Sequence, residues 1–309
     1  MPSYRLLKWN EPPPESCRGG AITVGNFDGV HLGHAKLTGV LREQARLIGG
    51  PALVLSFDPH PLQLLAPERF QPVLTAPDER AALLKEKGAD EVVLLRTTPE
   101  LLQLSPDDFV RRILHSSFRA KCVVEGFNFR YGRDRAGDIE QLRGQCNLLG
   151  MTFVPVPAFK MDGSPVSSSR VRRELLAGNV CEAARLLARN YSITGVVGMG
   201  QRRGMKLGFP TANLHELQTL LPAEGVYAVR VEGEGRSWLG AANIGPNPTF
   251  GENARKVEVH LLDFNGDLYG RRLRVEFVER IRDTKLFANV DELVKQLRLD
   301  VETVRALSR

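Results

Sequence analysis

The sequence of 309 residues has no apolar run near the roughly 18 residues that a membrane-spanning helix needs. Its longest apolar strand-like runs are of the kind Val92-Val93-Leu94-Leu95. The first five residues, Met1 to Arg5, contain no apolar signal-peptide segment. The 4 cysteines are scattered and form no C-x-x-C pair, so neither a zinc knuckle nor a redox dithiol is indicated. We therefore expect a cytoplasmic protein with reduced thiols and no membrane partner.

Internal repeats and low-complexity segments are also missing. Hydrophobic residues make up 42% and charged residues 25%, which argues against a disordered chain. The length is about twice that of an ordinary domain, so two domains are expected, with a single large barrel as the alternative. A net charge of +6 is typical either of a nucleic-acid surface or of sites for small polyphosphates, and charge alone does not decide between them.

The first part of the chain alternates short β-branched runs with segments of helical apolar spacing such as Leu37, Leu41 and Ala45. This pattern is typical of an α/β domain with a parallel sheet covered by helices on both faces. A helix start is marked by Ser105 before Pro106, with acidic residues following. The predicted strands span residues 21–24, 52–57, 91–95, 121–125 and 152–156.

After about residue 190, Gly, Pro and Asn turns separate strands of alternating pattern, which predicts an all-β domain with an antiparallel sheet or barrel. An amphipathic helix is expected from about Val290. We therefore predict an α/β domain over 1–188 and a β-rich domain over 189–309. The predicted strands of this second domain span 226–231, 256–262 and 272–278.

The segment Gly25-Asn26-Phe27-Asp28-Gly29-Val30-His31-Leu32-Gly33-His34 follows a predicted strand. It places His31 and His34 on one face at the start of the first helix, beside its free N–H groups and positive dipole end. This arrangement favours phosphate binding, and Gly33 would leave room for a nucleotide. A glycine-rich turn with capping histidines is the alternative interpretation of an isolated H-x-G-H string.

This string resembles the H-x-G-H signature of the nucleotidyltransferase superfamily, and specifically the N-terminal module of bacterial bifunctional riboflavin kinase/FAD synthetases. Segments 57–61, 74–77 and 126–132 resemble the same module in order. Ser167-Ser168-Ser169-Arg170-Val171-Arg172 resembles its late Ser-Ser-Thr-x-x-Arg signature, with serine in the threonine position. The resemblance implies a Rossmann-like fold and transfer of an adenylyl group from ATP to FMN. The related tRNA synthetases end their second signature in lysine, and no Lys-Met-Ser-Lys-Ser string is present.

The resemblance also implies roles for individual residues. His31 and His34 would stabilise the transferring phosphate, and Arg172 the leaving pyrophosphate. Asp58 and Asn128 would contact the flavin. The implied nucleotide-binding residues are Gly25, Asn26, Phe27, Asp28, Ser168, Ser169 and Arg170.

A second glycine-rich basic loop runs from Gly198 to Gly208. It lacks the closing Gly-Lys-Ser/Thr of a Walker loop, and its glycines are too widely spaced for a dinucleotide fingerprint. We expect the N–H groups around Gly198, Gly200 and Gly204 to meet phosphate oxygens, with Lys206, Arg202 and Arg203 adding positive charge.

In the following Gly208-Phe209-Pro210-Thr211-Ala212-Asn213, extended backbone would put the oxygens of Thr211 and Asn213 on one face, as ligands suited to Mg²⁺. A polar turn is the alternative interpretation. Further on, Glu258 and His260 alternate with apolar residues; Glu258 is a candidate proton acceptor, and we assign His260 to a solvent-facing strand.

The segment 208–213 resembles the Gly-Phe-Pro-Thr-Ala-Asn motif of riboflavin kinases, and Glu258 matches their catalytic glutamate. Met199 stands where the family has a histidine. The resemblance implies a riboflavin-kinase-like barrel that forms FMN, an adenylyltransferase domain that forms FAD, ATP as co-substrate of both, and Mg²⁺. Two other classes are a nucleic-acid binder, for which no basic stripe with interleaved aromatics is found, and a flavin-sensing regulator with one inactive site.

Overall fold

The computed structural model describes residues 3–200, 203–247 and 252–307, with the side chains of 203, 206, 247 and 252–255 left aside. The chain forms two compact units. The first contains residues 1–71 and 75–168, and the second contains residues 72–74 and 169–309. Each unit is built around its own sheet.

Six strands form one sheet in the first unit. Their order is β1-β4-β3-β2-β5-β6, and every neighbouring pair is parallel. This confirms the predicted α/β class. Five strands lie where the sequence pattern predicts them, whereas β1 has only three residues, too few for a periodic pattern to show. The strands are β1 (Arg5–Leu7), β2 (Ala21–Val24), β3 (Ala52–Asp58), β4 (Glu91–Arg96), β5 (Cys122–Gly126) and β6 (Thr152–Val156).

Both faces of this sheet are covered, because alternate strand residues point to opposite sides. Val54 and Leu94 pack with Leu41 of the first helix, while Leu55 and Val93 belong to a separate cluster on the other face. The helices of the unit are α1 (Leu32–Ile48), α2 (Pro61–Leu65), α3 (Pro77–Glu86), α4 (Pro99–Leu102), α5 (Pro106–Asp108) and α6 (Ile139–Leu148). A hairpin of β7 (Lys160–Met161) and β8 (Ser164–Pro165) follows.

The helix start predicted at Ser105 is confirmed. The Ser105 hydroxyl accepts the N–H of Asp108 at 3.1 Å. After α5, however, the chain continues as a π-helix over Phe109–Ser117. The face carrying Phe109, Ile113 and Leu114 is buried as the apolar spacing predicts.

The second unit contains a closed antiparallel barrel of order β10-β13-β12-β11-β14-β9, in which β9 also pairs with β10. This confirms the predicted all-β domain, and the predicted terminal helix begins at Val290. The barrel strands are β9 (Tyr191–Gly198), β10 (Ala212–His215), β11 (Gly225–Gly233), β12 (Arg236–Asn247), β13 (Glu252–Leu261) and β14 (Arg272–Arg282). The helices are α7 (Ser168–Leu176), α8 (Val180–Leu187), α9 (Arg203–Lys206) and α10 (Val290–Leu307).

Helices α7 and α8 belong almost entirely to the second compact unit, although the sequence texture places them in the first domain. A domain is a segment that folds independently, and contacts alone do not define it. The boundary between 188 and 189 therefore stays a prediction. Across the described residues, no helix combines the length and apolarity needed to span a bilayer.

Candidate functional sites

His31 and His34 lie together at the start of α1. His31 is the N-cap, and its Nδ1 accepts the main-chain N–H of His34 at 3.3 Å. The two rings stack with their centroids 3.7 Å apart. Because Nδ1 of His31 is an acceptor, the neutral ring carries its proton on Nε2. The pair thus stands beside the positive end of the α1 dipole, as predicted.

The environment of His34 favours its neutral form. Burial lowers its pKa well below the ordinary value, and the charges of His31 and Arg80 lower it further. Its Nδ1 is buried and has no hydrogen-bond partner among the residues that the structure describes. A buried polar atom of this kind costs free energy unless a ligand satisfies it.

Asp28 organises the loop between β2 and α1. Its carboxylate is buried and accepts the N–H of Thr75 at 3.1 Å, while its carbonyl accepts the hydroxyl of Ser168 at 2.8 Å. Phe27 and Val30 in this loop have backbone φ values of 49° and 41°, which residues other than glycine rarely adopt. Such strain persists only where surrounding contacts impose it, and it is concentrated at functional loops.

At two positions of this segment, the absence of a side chain leaves room for neighbouring groups to lie close to the backbone. A methyl group at Gly33 would lie 3.0 Å from Cε1 of His31 and 3.2 Å from the carbonyl oxygen of Val166. One at Gly25 would lie 3.2 Å from the ring of Phe27. The space at Gly33 thus accommodates the His31 ring, a reason that the sequence argument about nucleotide access does not include.

The predicted flavin contacts follow neighbouring strands. Asp58 is the half-buried last residue of β3, and the exposed Asn128 lies two residues after β5. Strand β2, which precedes Asn26, lies between β3 and β5. Because parallel strands end at a common edge, these side chains follow the same edge of the sheet, where α/β folds bind ligands.

Helix α7 carries the late signature. Ser169 is exposed, and Arg172 is half-buried. Arg170 pairs with Glu182 of α8 at 3.0 Å, a contact that the sequence pattern does not predict. The nucleotide roles of Ser169, Arg170 and Arg172 stay predictions.

Glu125, in β5 of the first unit, is a buried polar residue that the sequence patterns do not predict. It is 1% exposed, and its carboxyl group accepts the N–H of Val24. Burial raises its pKa well above the ordinary value, although the hydrogen bonds from Val24, Thr23 and Gly126 act in the opposite direction. An acidic residue directly after the apolar run Cys122-Val123-Val124, still inside the strand, is the signal that could have revealed it.

In the second unit, the barrel register brings the predicted kinase residues together. Asn213 of β10 lies opposite Glu258 of β13 on one side and opposite Gly198 of β9 on the other. Directly opposed residues have Cβ atoms about 5 Å apart. The predicted metal ligand and the predicted proton acceptor are therefore cross-strand neighbours.

Three glycines of the 198–208 segment lie close to the chain around Thr211 and Asn213 or to His215. A methyl group at Gly200 would lie 2.2 Å from Nδ2 of Asn213. At Gly204 it would lie 2.3 Å from the carbonyl oxygen of Phe209 and 3.5 Å from Oγ1 of Thr211. At Gly198 it would lie 2.4 Å from the ring of His215. A larger residue at Gly200 or Gly204 would therefore displace Asn213 or the chain beside Thr211, and one at Gly198 would displace the ring of His215.

Other predicted residues of this loop lie outside the part of the chain that the structure describes. The side chains of Arg203 and Lys206 and the whole of residues 201–202 are not among the described parts of the chain. Their roles stay predictions. Met199 is 83% exposed, so its side chain is not packed into the core.

His260 makes specific contacts that its assignment to a solvent-facing strand does not include. Its Nδ1 lies 2.8 Å from the carbonyl oxygen of Pro210, and its ring packs edge-on against Phe209 with centroids 5.5 Å apart. His260 thus connects the strand of Glu258 to the segment that leads into Thr211. The signal was the alternation itself, which places His260 on the same face as Glu258.

Comparison with known proteins agrees with this division. Residues 14–170 match the FAD synthetase family model, and residues 187–308 match the riboflavin kinase family model. A bifunctional riboflavin kinase/FMN adenylyltransferase of Pseudomonas fluorescens is 40% identical over 292 residues, covering 94% of each chain. The chain belongs to this family. It phosphorylates riboflavin to FMN in the C-terminal barrel and adenylylates FMN to FAD in the N-terminal domain, with ATP as co-substrate of both reactions.

Two further relatives extend the match. The bifunctional riboflavin kinase/FMN adenylyltransferase of Escherichia coli K12 is 37% identical over 297 residues, which cover 96% of this chain and 94% of that protein. A crystal structure described as a macrolide-efflux protein from Streptococcus pneumoniae has a TM-score of 0.87 and 33% identity, covering 97% of this chain and 98% of that one. The fold is thus similar to that of a solved protein over 97% of this chain.

Proposed function

We propose that His31 and His34 are the phosphate-stabilising residues of adenylyl transfer. The observation that carries this is the unpartnered, buried Nδ1 of His34, in a ring stacked on His31 at a helix start. The loop 25–28, together with Ser168, would bind the nucleotide, and Asp58 and Asn128 would contact the flavin. Ser169, Arg170 and Arg172 would bind the triphosphate, with Arg172 stabilising the leaving pyrophosphate.

Adenylyl transfer depends more on electrostatic positioning of the phosphates than on a strong base. An FMN phosphate oxygen would attack the α-phosphorus of ATP, and the bond to the β-phosphate bridging oxygen would break to release pyrophosphate. A phosphate monoester is already ionised near neutral pH, so no proton needs to be removed from the nucleophile. Donors held at fixed positions would stabilise the negative charge of the transition state without reorganisation.

For the kinase reaction, we propose that Glu258 accepts the proton of the riboflavin hydroxyl as it attacks the γ-phosphorus of ATP. The register that puts Asn213 opposite Glu258 supports this. The loop glycines 198, 200 and 204 and Lys206 would bind the ATP phosphates. A carboxylate next to a metal-bound phosphate is an arrangement used for phosphoryl transfer.

Mg²⁺ is the metal that these donors fit. Thr211 and Asn213 offer a hydroxyl and an amide oxygen, hard ligands that leave positions for water and phosphate oxygens. The described residues include no group of three His, Cys, Asp or Glu side chains suited to a metal. A divalent ion that is brought largely by ATP, and completed by Thr211 and Asn213, is consistent with this set. When bound, it would neutralise phosphate charge.

We further propose a cytoplasmic location and independent domains over 1–188 and 189–309. The four cysteines are free thiols, which supports a reducing compartment. The separate cores of the two units support two domains.

The test is a product assay run separately on riboflavin and on FMN, each with ATP and Mg²⁺. Glu258→Gln is expected to abolish FMN formation and leave FMN-to-FAD conversion intact, and His31→Ala to do the reverse. Chelation of Mg²⁺ should stop both. Retained FMN formation in Glu258→Gln, or retained FAD formation in His31→Ala, would remove that residue from its proposed role.

A further inference from the structure

Arg80 is a buried cation beneath the loop of the first site. Arg80 is 3% exposed and lies in the first turn of α3. Nη1 donates to the carbonyl oxygen of Asn26 at 3.2 Å, and Nη2 donates to that of Phe57 at 3.4 Å. Nε is buried and has no partner among the described residues. Arg80 therefore connects two strand ends of one sheet.

Within the described chain, no carboxylate lies within ion-pair distance of this guanidinium. Burial lowers its pKa, and Asp28, Asp58 and Tyr4 raise it from greater distance. Arginine stays protonated even so. A buried charge with neutral partners is costly unless an opposite charge meets it. The protein thus holds a positive charge here that its own carboxylates compensate only in part.

The two carbonyl partners show where this charge acts. Asn26 opens the loop that leads to His31, and Phe57 directly precedes Asp58. The Arg80 charge also lowers the pKa of His34, so its field reaches the histidine pair. The guanidinium thus lies between the end of β2, proposed to bind nucleotide, and the end of β3, proposed to contact flavin.

We infer that Arg80 is a positioning residue for adenylyl transfer, whose buried charge draws the FMN phosphate and the α-phosphate of ATP together. This inference rests on the proposed function of His31 and His34. Two anionic groups must approach each other in this reaction, and a cation fixed by two carbonyls opposes their repulsion without moving. Because Arg80 is buried, its charge is screened little by salt.

Three variants of the full-length protein test the inference. Arg80→Lys keeps the charge, Arg80→Gln keeps a donor without the charge, and Arg46→Gln removes an exposed arginine from α1 of the same domain as a control for net charge. The assay measures kcat and KM for FMN and for ATP, and the dependence of kcat/KM on salt. FMN formation by the same molecules is the internal standard.

We expect Arg80→Gln to lower kcat/KM for adenylyl transfer by about 10²-fold, mainly through kcat, because a buried charge acts on the transition state through a medium of low dielectric constant. Arg80→Lys should retain activity within about tenfold of the wild type, and Arg46→Gln should match it. FMN formation should be unchanged in all three. If Arg80→Gln does not fold, Arg80→Met is measured in its place against the same criterion.

An equal loss of kcat/KM for adenylyl transfer in Arg80→Lys and Arg80→Gln would overturn the inference, because the charge of residue 80 would then not matter. So would a fall in unfolding temperature with normal kcat in the folded fraction, which indicates a structural role. His31→Ala separates this failure from that of the proposed function: full FAD formation by His31→Ala would refute the proposed site, whatever the Arg80 variants do.

Discussion

The carboxyl group of Glu125 accepts the main-chain N–H of Val24 at 2.5 Å, at the point where β2 and β5 separate. The two strands pair at Ala21 with Cys122 and at Ile22 with Val123, and the side chain of Glu125 then takes the place of the next ladder bond. Parallel α/β sheets bind ligands where neighbouring strands diverge in this way. Glu125 thus holds the two strand ends in register beside the first site.

We predict that Glu125→Gln becomes increasingly stable relative to the wild type as pH rises. The pKa of Glu125 is raised in the folded state, so the folded protein binds more protons than the unfolded chain above the ordinary glutamate pKa. Wild-type stability is therefore lost as pH rises from about 4.5 toward the folded pKa. Thermal unfolding of both proteins from pH 5 to 8 measures this. A difference that is constant with pH would contradict it.

The matched substitution Glu125→Ala should lower the free energy of unfolding. It leaves the buried N–H of Val24 without its acceptor and opens a cavity, which together cost about 2–4 kcal/mol of unfolding free energy. Denaturant unfolding at pH 6 is the measurement. Equal stability of the alanine and glutamine variants would show that the hydrogen bond to Val24 contributes nothing.

His34 predicts a pH effect of the opposite sign. Burial lowers its folded pKa, so the stability it contributes is present above about pH 6.5 and lost as pH falls toward the folded pKa. We expect His34→Gln to reduce the loss of unfolding temperature between pH 7.5 and pH 5. His115→Gln replaces an exposed histidine of the same domain and should leave the wild-type profile unchanged. Identical profiles for all three proteins would contradict a neutral His34 in the folded protein.

His260 should matter for FMN formation alone. His260→Phe removes the contact with the Pro210 carbonyl, and we expect kcat/KM for the kinase reaction to fall by about 5- to 30-fold, the equivalent of one hydrogen bond. His260→Asn keeps a donor and should lose less. Conversion of FMN to FAD is the control within each molecule. A larger loss in His260→Asn than in His260→Phe would indicate that ring packing on Phe209, rather than the hydrogen bond, positions Thr211.

The ion pair between Arg282 and Asp300 should anchor the terminal helix. Asp300 is 2% exposed and accepts Nε of Arg282 at 2.9 Å and Nη2 at 2.7 Å. Asp300→Ala would leave the guanidinium without its partner, at a cost of about 3 kcal/mol of unfolding free energy. Asp263→Ala removes an exposed pair with Arg305 and should leave stability unchanged within error. Similar unfolding midpoints for the two variants would argue against an anchor.

Periodicity was enough to predict the larger elements, because five strands of the first sheet and the helix from Val290 bury regular apolar faces. It could not find β1, which is too short, or the π-helix, whose hydrogen-bond pattern leaves no separate mark on apolar spacing. The motifs placed His31, Asn213 and Glu258 in candidate sites. The pairing of Asn213 with Glu258 depends on the register of distant strands, and the burial of Arg80 and Glu125 depends on packing across the sheet. Local sequence carries neither.

Closure of the barrel has a consequence for substrate choice. Because β9, β10 and β13 are neighbours in a closed barrel, none of them can slide or move apart without breaking hydrogen bonds to an adjacent strand. The separation of Asn213 and Glu258 is therefore that of any two adjacent strands, about 4.8 Å between backbones, and no loop motion adjusts it. If Asn213 and Glu258 act as proposed, this strand pairing fixes the spacing of the reacting groups, and differences in flavin or nucleotide preference would then arise in the connecting segments.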